Sequence, residues 1–136
     1  MAENIRLEVV TPEKAVVSDE AKIVVSPGIL GEFGVLAGHT PFLTILKTGT
    51  IRYTDKDGRD RYVFVSEGFA EALPDKVTVL AESAERRKDI DFDRAQAARD
   101  RAQKRLDATK DTGVDIIRAQ LAIQRALHRI NIASTR

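Results

Sequence analysis

Arginines carry most of the chemistry that this sequence offers. They stand at positions 94, 101, 118, 125 and 129. On a helix turning 100° per residue, Arg118, Arg125 and Arg129 fall within about 40° of one another. Arg94 and Arg101, seven residues apart, share a face of the helical segment before them. Guanidiniums gathered on one face repel unless an anion sits between them. The spacing is therefore that of an anion site formed between two helices, or of a solvated basic face. Nucleic-acid binding fits less well: Phe92 is the tail's one aromatic, so there is no stacking platform.

His39 and His128 are the histidines, and there is no cysteine. The two lie on different predicted modules with no carboxylate cluster beside either, so no metal site is expected. Nothing resembles a nucleophile elbow, so no catalysis by this chain is expected. The segment Gly28 to Pro41 places glycines at 31, 34 and 38. No Lys-Ser/Thr pair follows and no helix opens after it, which argues against a phosphate loop. It reads as tight turns needing positive φ, or as a loop presenting Glu32 and His39 to a partner.

These residues need elements to hold them. Ile5, Leu7 and Val9 alternate with polar residues, as in a half-buried strand. Further strand candidates are Val16-Val17, Ile23 to Val25, Phe42 to Leu46, Thr50 to Tyr53, Tyr62 to Val65, Phe69 to Leu73 and Val77 to Leu80. Turn residues at 55–58 and at Pro74-Asp75 separate the later ones, so a sandwich or barrel is expected. From Asp91, a candidate N-cap, the period changes to helical. Phe92, Ala95, Ala98, Ala102 and Leu106 form one stripe, and Ile116, Ala119, Ile123, Ala126/Leu127 and Ile130 a second. A turn is expected at Thr109 to Gly113. So many alanines predict two closely packed antiparallel helices with little apolar area, a hairpin easily opened.

The fold class is thus α+β in two domains, 1–86 and 87–136. The charge agrees: residues 1–84 carry net −4 and residues 85–136 net +5. The basic half favours an anionic partner. No apolar run approaches the ~20 residues of a membrane span. The opening Met1-Ala2-Glu3-Asn4 has neither the basic nor the apolar part of a signal peptide.

Several ordered motifs resemble the epsilon-subunit family of bacterial and chloroplast rotary ATP synthases. They are Leu7 to Pro12, Gly31 to Thr44, Gly49-Thr50-Ile51-Arg52, Glu67 to Glu71, Val77 to Ala81, and Ile90-Asp91-Phe92-Asp93-Arg94-Ala95. The resemblance covers essentially the whole chain. It implies a ten-stranded β-sandwich followed by an antiparallel helical hairpin, in a non-catalytic subunit of the central stalk. Such a subunit joins the gamma subunit to the membrane c-ring of a proton- or sodium-translocating enzyme. The c-ring contacts would be Glu32 and His39. The hairpin would restrain ATP hydrolysis by extending into the catalytic alpha/beta head. Some members bind regulatory ATP at positions matching Glu85, Asp91, Arg94, Arg101, Arg125 and Arg129. No other cofactor, no nucleic acid and no membrane insertion is implied. The expected place is peripheral, on the cytoplasmic face of the bacterial plasma (inner) membrane. A stand-alone ATP-sensing module is the alternative.

Overall fold

A computed structural model describes residues 3–108 and 113–135. The chain divides into two compact units, Met1–Arg87 and Lys88–Arg136. The first is a β-sheet domain and the second a two-helix hairpin.

The sheet domain holds seven strands: β1 (Ile5–Val10), β2 (Ala15–Gly28), β3 (Gly31–Val35), β4 (Phe42–Leu46), β5 (Gly49–Asp55), β6 (Asp60–Leu73) and β7 (Lys76–Arg86). Seven is fewer than the ten implied by the resemblance. The difference lies in β2, β6 and β7, of 14, 14 and 11 residues, which each run through more than one ladder. β6 pairs with β5 through residues 60–65 and with β4 through 68–72. β7 pairs with β1 at 76–80 in parallel, and continues along β6 to Arg86. β2 pairs first with β1, then with β5 and β3. Segments that read separately in the sequence, 16–17 with 23–25 and 62–65 with 69–73, are therefore single strands that cross a corner.

The corner is written in the side-chain alternation. A strand's faces alternate with period two, so one irregular residue sends every later side chain to the other face. On β6 the core-facing residues are Val63 and Val65, then Ala70 and Ala72. On β7 they are Val77, Val79 and Ala81, then Ala84. On β2 they are Val17 and Ala21, then Val24, with the ladder irregular between Ala21 and Ile23. The phase changes at Lys22, Glu67 and Glu82, and the sheet folds there over one core. Ile5, Leu7, Val9, Val35, Ile51 and Tyr53, each at most 1% exposed, complete that core together with Leu46.

The glycine-rich segment corrects the sequence reading. It was expected as turns throughout, yet Gly31–Val35 is a strand, paired with β2 from Val24↔Val35 to Gly28↔Gly31. Gly31 (φ 135°) and Gly38 (φ 86°) do take the left-handed region. Gly34 lies inside the strand and does not. The hairpin at 55–58 forms as expected. Asp55 Oδ1 accepts from the backbone N–H of Asp57 and of Arg59, both at 2.9 Å, and Gly58 has φ 84°.

The second unit follows a short 3₁₀ turn at Arg87–Asp89. It comprises α1 (Phe92–Ala108) and α2 (Gly113–Ser134). Asp91 is the N-cap of α1: its Oδ1 accepts from Arg94 N–H at 3.0 Å, and its carbonyl from Ala95 N–H at 3.0 Å. Ala95 and Ala102 on α1, and Ala119 and Ala126 on α2, are buried at spacings of seven. Side chains this small let the helices approach closely. The stripe readings miss at three points: Phe92 and Leu127 are exposed, at 38% and 47%, whereas Ile132 is buried. The turn expected at Thr109 to Gly113 falls mainly on 109–112, outside the described residues, as does the N-terminal Met1-Ala2.

Candidate docking and anion sites

Glu32 is exposed on β3, opposite Pro27. His39 follows the left-handed Gly38 and is half-buried. Backbone bonds fix this segment: Gly38 N–H donates to Pro74 carbonyl O (2.7 Å) and His39 N–H to Leu36 carbonyl O (3.1 Å). The imidazole Nδ1–H donates to Thr40 carbonyl O at 2.5 Å, and the ring centroid lies 6.4 Å from that of Phe42. Phe42 meets Phe33 edge-on at 5.2 Å. Ile29, Leu30, Leu36 and Leu43 are exposed, Leu30 almost completely at 98%. A firmly held segment with exposed apolar side chains, one carboxylate and one imidazole suits docking. Among the described residues, no cluster of three or more acidic, histidine or cysteine side chains could hold a metal ion.

The six anion-site candidates divide between the units. Glu85 lies on β7 opposite Phe64 and is half-buried. Asp91 uses one carboxylate oxygen as the helix cap. Arg94 and Arg101 are exposed along α1, while Arg125 and Arg129 are half-buried on α2. A cavity of about 530 Å³ between α1 and α2 is lined by Arg105, Asp115, Arg118 and four alanines. None of the six candidates lines it. It brings together Arg118, read from the sequence as part of the basic face, and Arg105, which was not singled out. The signal for Arg105 was its position one helical turn beyond Arg101.

The sequence reading also missed a polar cluster at the end of β7. Tyr53 is buried, and its hydroxyl donates to Asp19 Oδ2 at 2.5 Å. Arg86 Nη2 stands 3.6 Å from the same oxygen, and Arg86 Nε–H donates to Val16 carbonyl O at 2.9 Å. Burial first, then the bond to Asp19 and its charge, push the Tyr53 hydroxyl well above the usual phenol range. The next residue, Arg87, places its guanidinium 5.7 Å from the Tyr62 ring centroid. Side chains thus tie residues 86 and 87 to the sheet where the first unit ends. No sequence spacing links 19, 53 and 86; only the sheet register brings them together.

Comparison with known proteins covers both units. Residues 4–87 match the family described as ATP synthase, Delta/Epsilon chain, beta-sandwich domain. Residues 88–134 match ATP synthase, Delta/Epsilon chain, long alpha-helix domain. The ATP synthase epsilon chain of Desulforapulum autotrophicum is 58% identical over 136 residues, covering 100% of both chains. That of Desulfosudis oleivorans is 65% identical over 108 residues, covering 79% of this chain and 81% of its own. In fold, the chain is similar to one in the Euglena gracilis mitochondrial ATP synthase (OSCP/F1/c-ring). The TM-score is 0.76 at 20% identity, over 89% of this chain and 76% of that one. It is also similar to one in the Tetrahymena thermophila mitochondrial ATP synthase central stalk/c-ring, with TM-score 0.64 at 11% identity over 98% of each.

Proposed function

The chain belongs to the Delta/Epsilon-chain family of F-type ATP synthases as a non-catalytic epsilon chain of the central stalk, and we propose that it couples the gamma subunit to the membrane c-ring and regulates ATP hydrolysis through its hairpin. In this reading residues 1–86 dock on the rotor and residues 87–136 regulate. Glu32 and His39 face the c-ring. The observation that carries the docking role is the firmly bonded segment 31–43, whose apolar side chains remain in solvent. Rigid apolar surface with few charges at its centre is what a lasting protein interface uses.

Regulation rests on the hairpin. Its buried seam is mostly alanine, so little apolar area holds the two helices together. An element so weakly held can have two arrangements of similar free energy. A ligand that binds one of them shifts the balance by its differential affinity. ATP held by Arg94, Arg101, Arg125 and Arg129, with Glu85 and Asp91 orienting arginines or accepting from the base or ribose, would favour the closed hairpin. The extended form would pair its basic helices with acidic segments of the alpha/beta head. Among the described residues no helix is long and apolar enough to cross a membrane. That suits a peripheral seat on the cytoplasmic face of the bacterial plasma membrane, reached through the partners.

The test is co-purification. Tagged full-length chain recovered from membranes should bring gamma and the c-ring with it. Recovery as a lone monomer would overturn the stalk role and leave the stand-alone ATP sensor.

A further inference from the structure

Charge is sorted by face along the hairpin. On α1 the acids Asp93, Asp100 and Asp107 recur every seven residues and so share one face. Two of them are engaged there: Arg99 Nε–H donates to Asp100 Oδ1 at 3.3 Å, and Gln103 Nε2–H to Asp107 Oδ1 at 3.0 Å. Arg105 lies about 120–160° around the helix from that row. The positions three and four residues from it are Arg101, Ala102, Ala108 and Thr109, so no acid of its own helix faces it. On α2 the one acid is Asp115. Among the described residues neither Arg105 nor Arg118 is in an ion pair.

Both arginines border the cavity of about 530 Å³ between the helices. Its remaining lining is Ala102, Ala108, Ala119 and Ala122, with Asp115. Ala102 and Ala119 belong to the buried seam, so the cavity lies over the helix contact itself. Helix ends account for two of the three charges. Asp115 is in the first turn of α2 and Arg105 in the last turn of α1, where the helix dipole favours each. Arg118, in the second turn of α2, has no such reason to be there. Two guanidiniums from different helices meet at one hollow lined by small side chains. They repel unless an anion lies between them, and the hollow has the size of a small-ligand site.

We infer that Arg105 and Arg118 hold an inorganic phosphate between the helices, at the end where α1 gives way to α2, as a second anion site apart from the nucleotide positions proposed above. Each guanidinium presents a planar fork of N–H donors that matches two phosphate oxygens. The alanines leave the room that the ion fills. Because the ion touches both helices, it binds the closed hairpin and not the opened one. It therefore favours closure increasingly as its concentration rises. The site needs neither gamma nor the c-ring, so it does not rest on the stalk reading.

The experiment is titration of the full-length chain with inorganic phosphate, read by calorimetry and by the melting of the helical circular-dichroism signal, against sodium chloride at matched ionic strength. Phosphate should bind at one site and raise the helical melt, and chloride should do neither. Arg105→Gln and Arg118→Gln should each weaken phosphate binding about ten-fold or more, the effect of losing one charged hydrogen bond. Arg99→Gln removes a cation already paired with Asp100 and should leave binding unaltered. Asp115→Asn should tighten it, since a carboxylate at the cavity opposes the anion. Ala122→Leu keeps both arginines and fills the cavity, so it should abolish binding. Saturating ATP should leave phosphate binding as it is. One-for-one displacement by ATP would give the cavity to the nucleotide and overturn a separate phosphate site. Equal small losses at Arg99, Arg105 and Arg118, with Ala122→Leu binding normally, would reduce the effect to diffuse attraction and overturn it too. Absence of any phosphate-specific heat or stabilisation would do the same.

Discussion

Asp55 shows how one carboxylate fixes a turn. It is buried at the end of β5, accepts two backbone N–H groups through Oδ1, and takes Arg61 Nε–H on Oδ2 at 3.0 Å. The bond from Arg59 N–H, followed by those from Arg61 and Asp57, holds its acid constant below the ordinary aspartate range. A depressed constant means that the folded state prefers the charged form. Its contribution is present above the unfolded value of about 3.9 and is lost as pH falls through the lower folded value. Asp55→Asn should therefore lower the thermal midpoint at neutral pH and make it less sensitive to acid. Melting curves from pH 7 down to about 3 check this; an unchanged acid slope would show that the turn is held by its backbone alone. Arg86 acts at the same scale but at the end of the domain. Its bonds to Val16 and Asp19 pin the last residue of β7. Arg86→Gln should cost about 1–2 kcal/mol and speed tryptic cleavage after Arg87 and Lys88. Unaltered cleavage would mean that β7 ends there without help from this side chain.

At the scale of elements, the strands and helices were legible because their periods differ. The alternation of Ile5, Leu7 and Val9, the turn at 55–58, and the change to helical period after Asp91 all appear in the fold. What escaped was continuity. Val25 and Val16 look like separate strands because a phase change lies between them, and periodicity breaks wherever a strand turns a corner. β3 escaped because three glycines within eight residues signal turns more strongly than Phe33 and Val35 signal a strand. The basic helix faces were legible from spacing, whereas the cavity at Arg105 and Arg118 depends on how two helices splay, which spacing does not encode. The alanine seam yields a further expectation. Ala126 is 1% exposed, so Ala126→Leu should overpack the hairpin by about 1–3 kcal/mol. Helical circular dichroism should show an earlier melt for α1 and α2 while the sheet signal is kept. A single unaltered transition would show that the seam has room to spare.

At the scale of the whole molecule, the two units differ in the amount of apolar surface each can bury. The sheet closes over a core whose central residues are shut off from water, while the hairpin is joined by small side chains. The proposed roles, rigid docking by the first unit and adjustable regulation by the second, rest on that contrast. Residues 1–86 alone should therefore unfold cooperatively and still bind gamma. The double change Glu32→Ala with His39→Ala should leave that unfolding unaltered and uncouple proton or sodium flow from ATP turnover in reconstituted vesicles. Collapse of the sheet would instead assign both residues to the fold.

ATP binding is the expectation that reaches across the most residues. Arginines that each give a charged hydrogen bond to phosphate lose about 1.5–3 kcal/mol when truncated, a weakening of ten-fold or more. Arg125→Ala and Arg129→Ala should each weaken ATP binding by that amount. Arg136→Ala, at a position outside the described residues, should barely change it. The cavity supplies a second comparison, since Arg105 and Arg118 line it and the four proposed phosphate ligands do not. Calorimetric titration of the full-length chain separates the arrangements. Losses confined to Arg94, Arg101, Arg125 and Arg129 would place the phosphates on the proposed face. Losses confined to Arg105→Ala and Arg118→Ala would move them to the cavity between α1 and α2. Equal small losses at every arginine would mean diffuse attraction to a basic helix pair. No heat at millimolar ATP would remove the nucleotide from the mechanism and leave the arginines to the catalytic head.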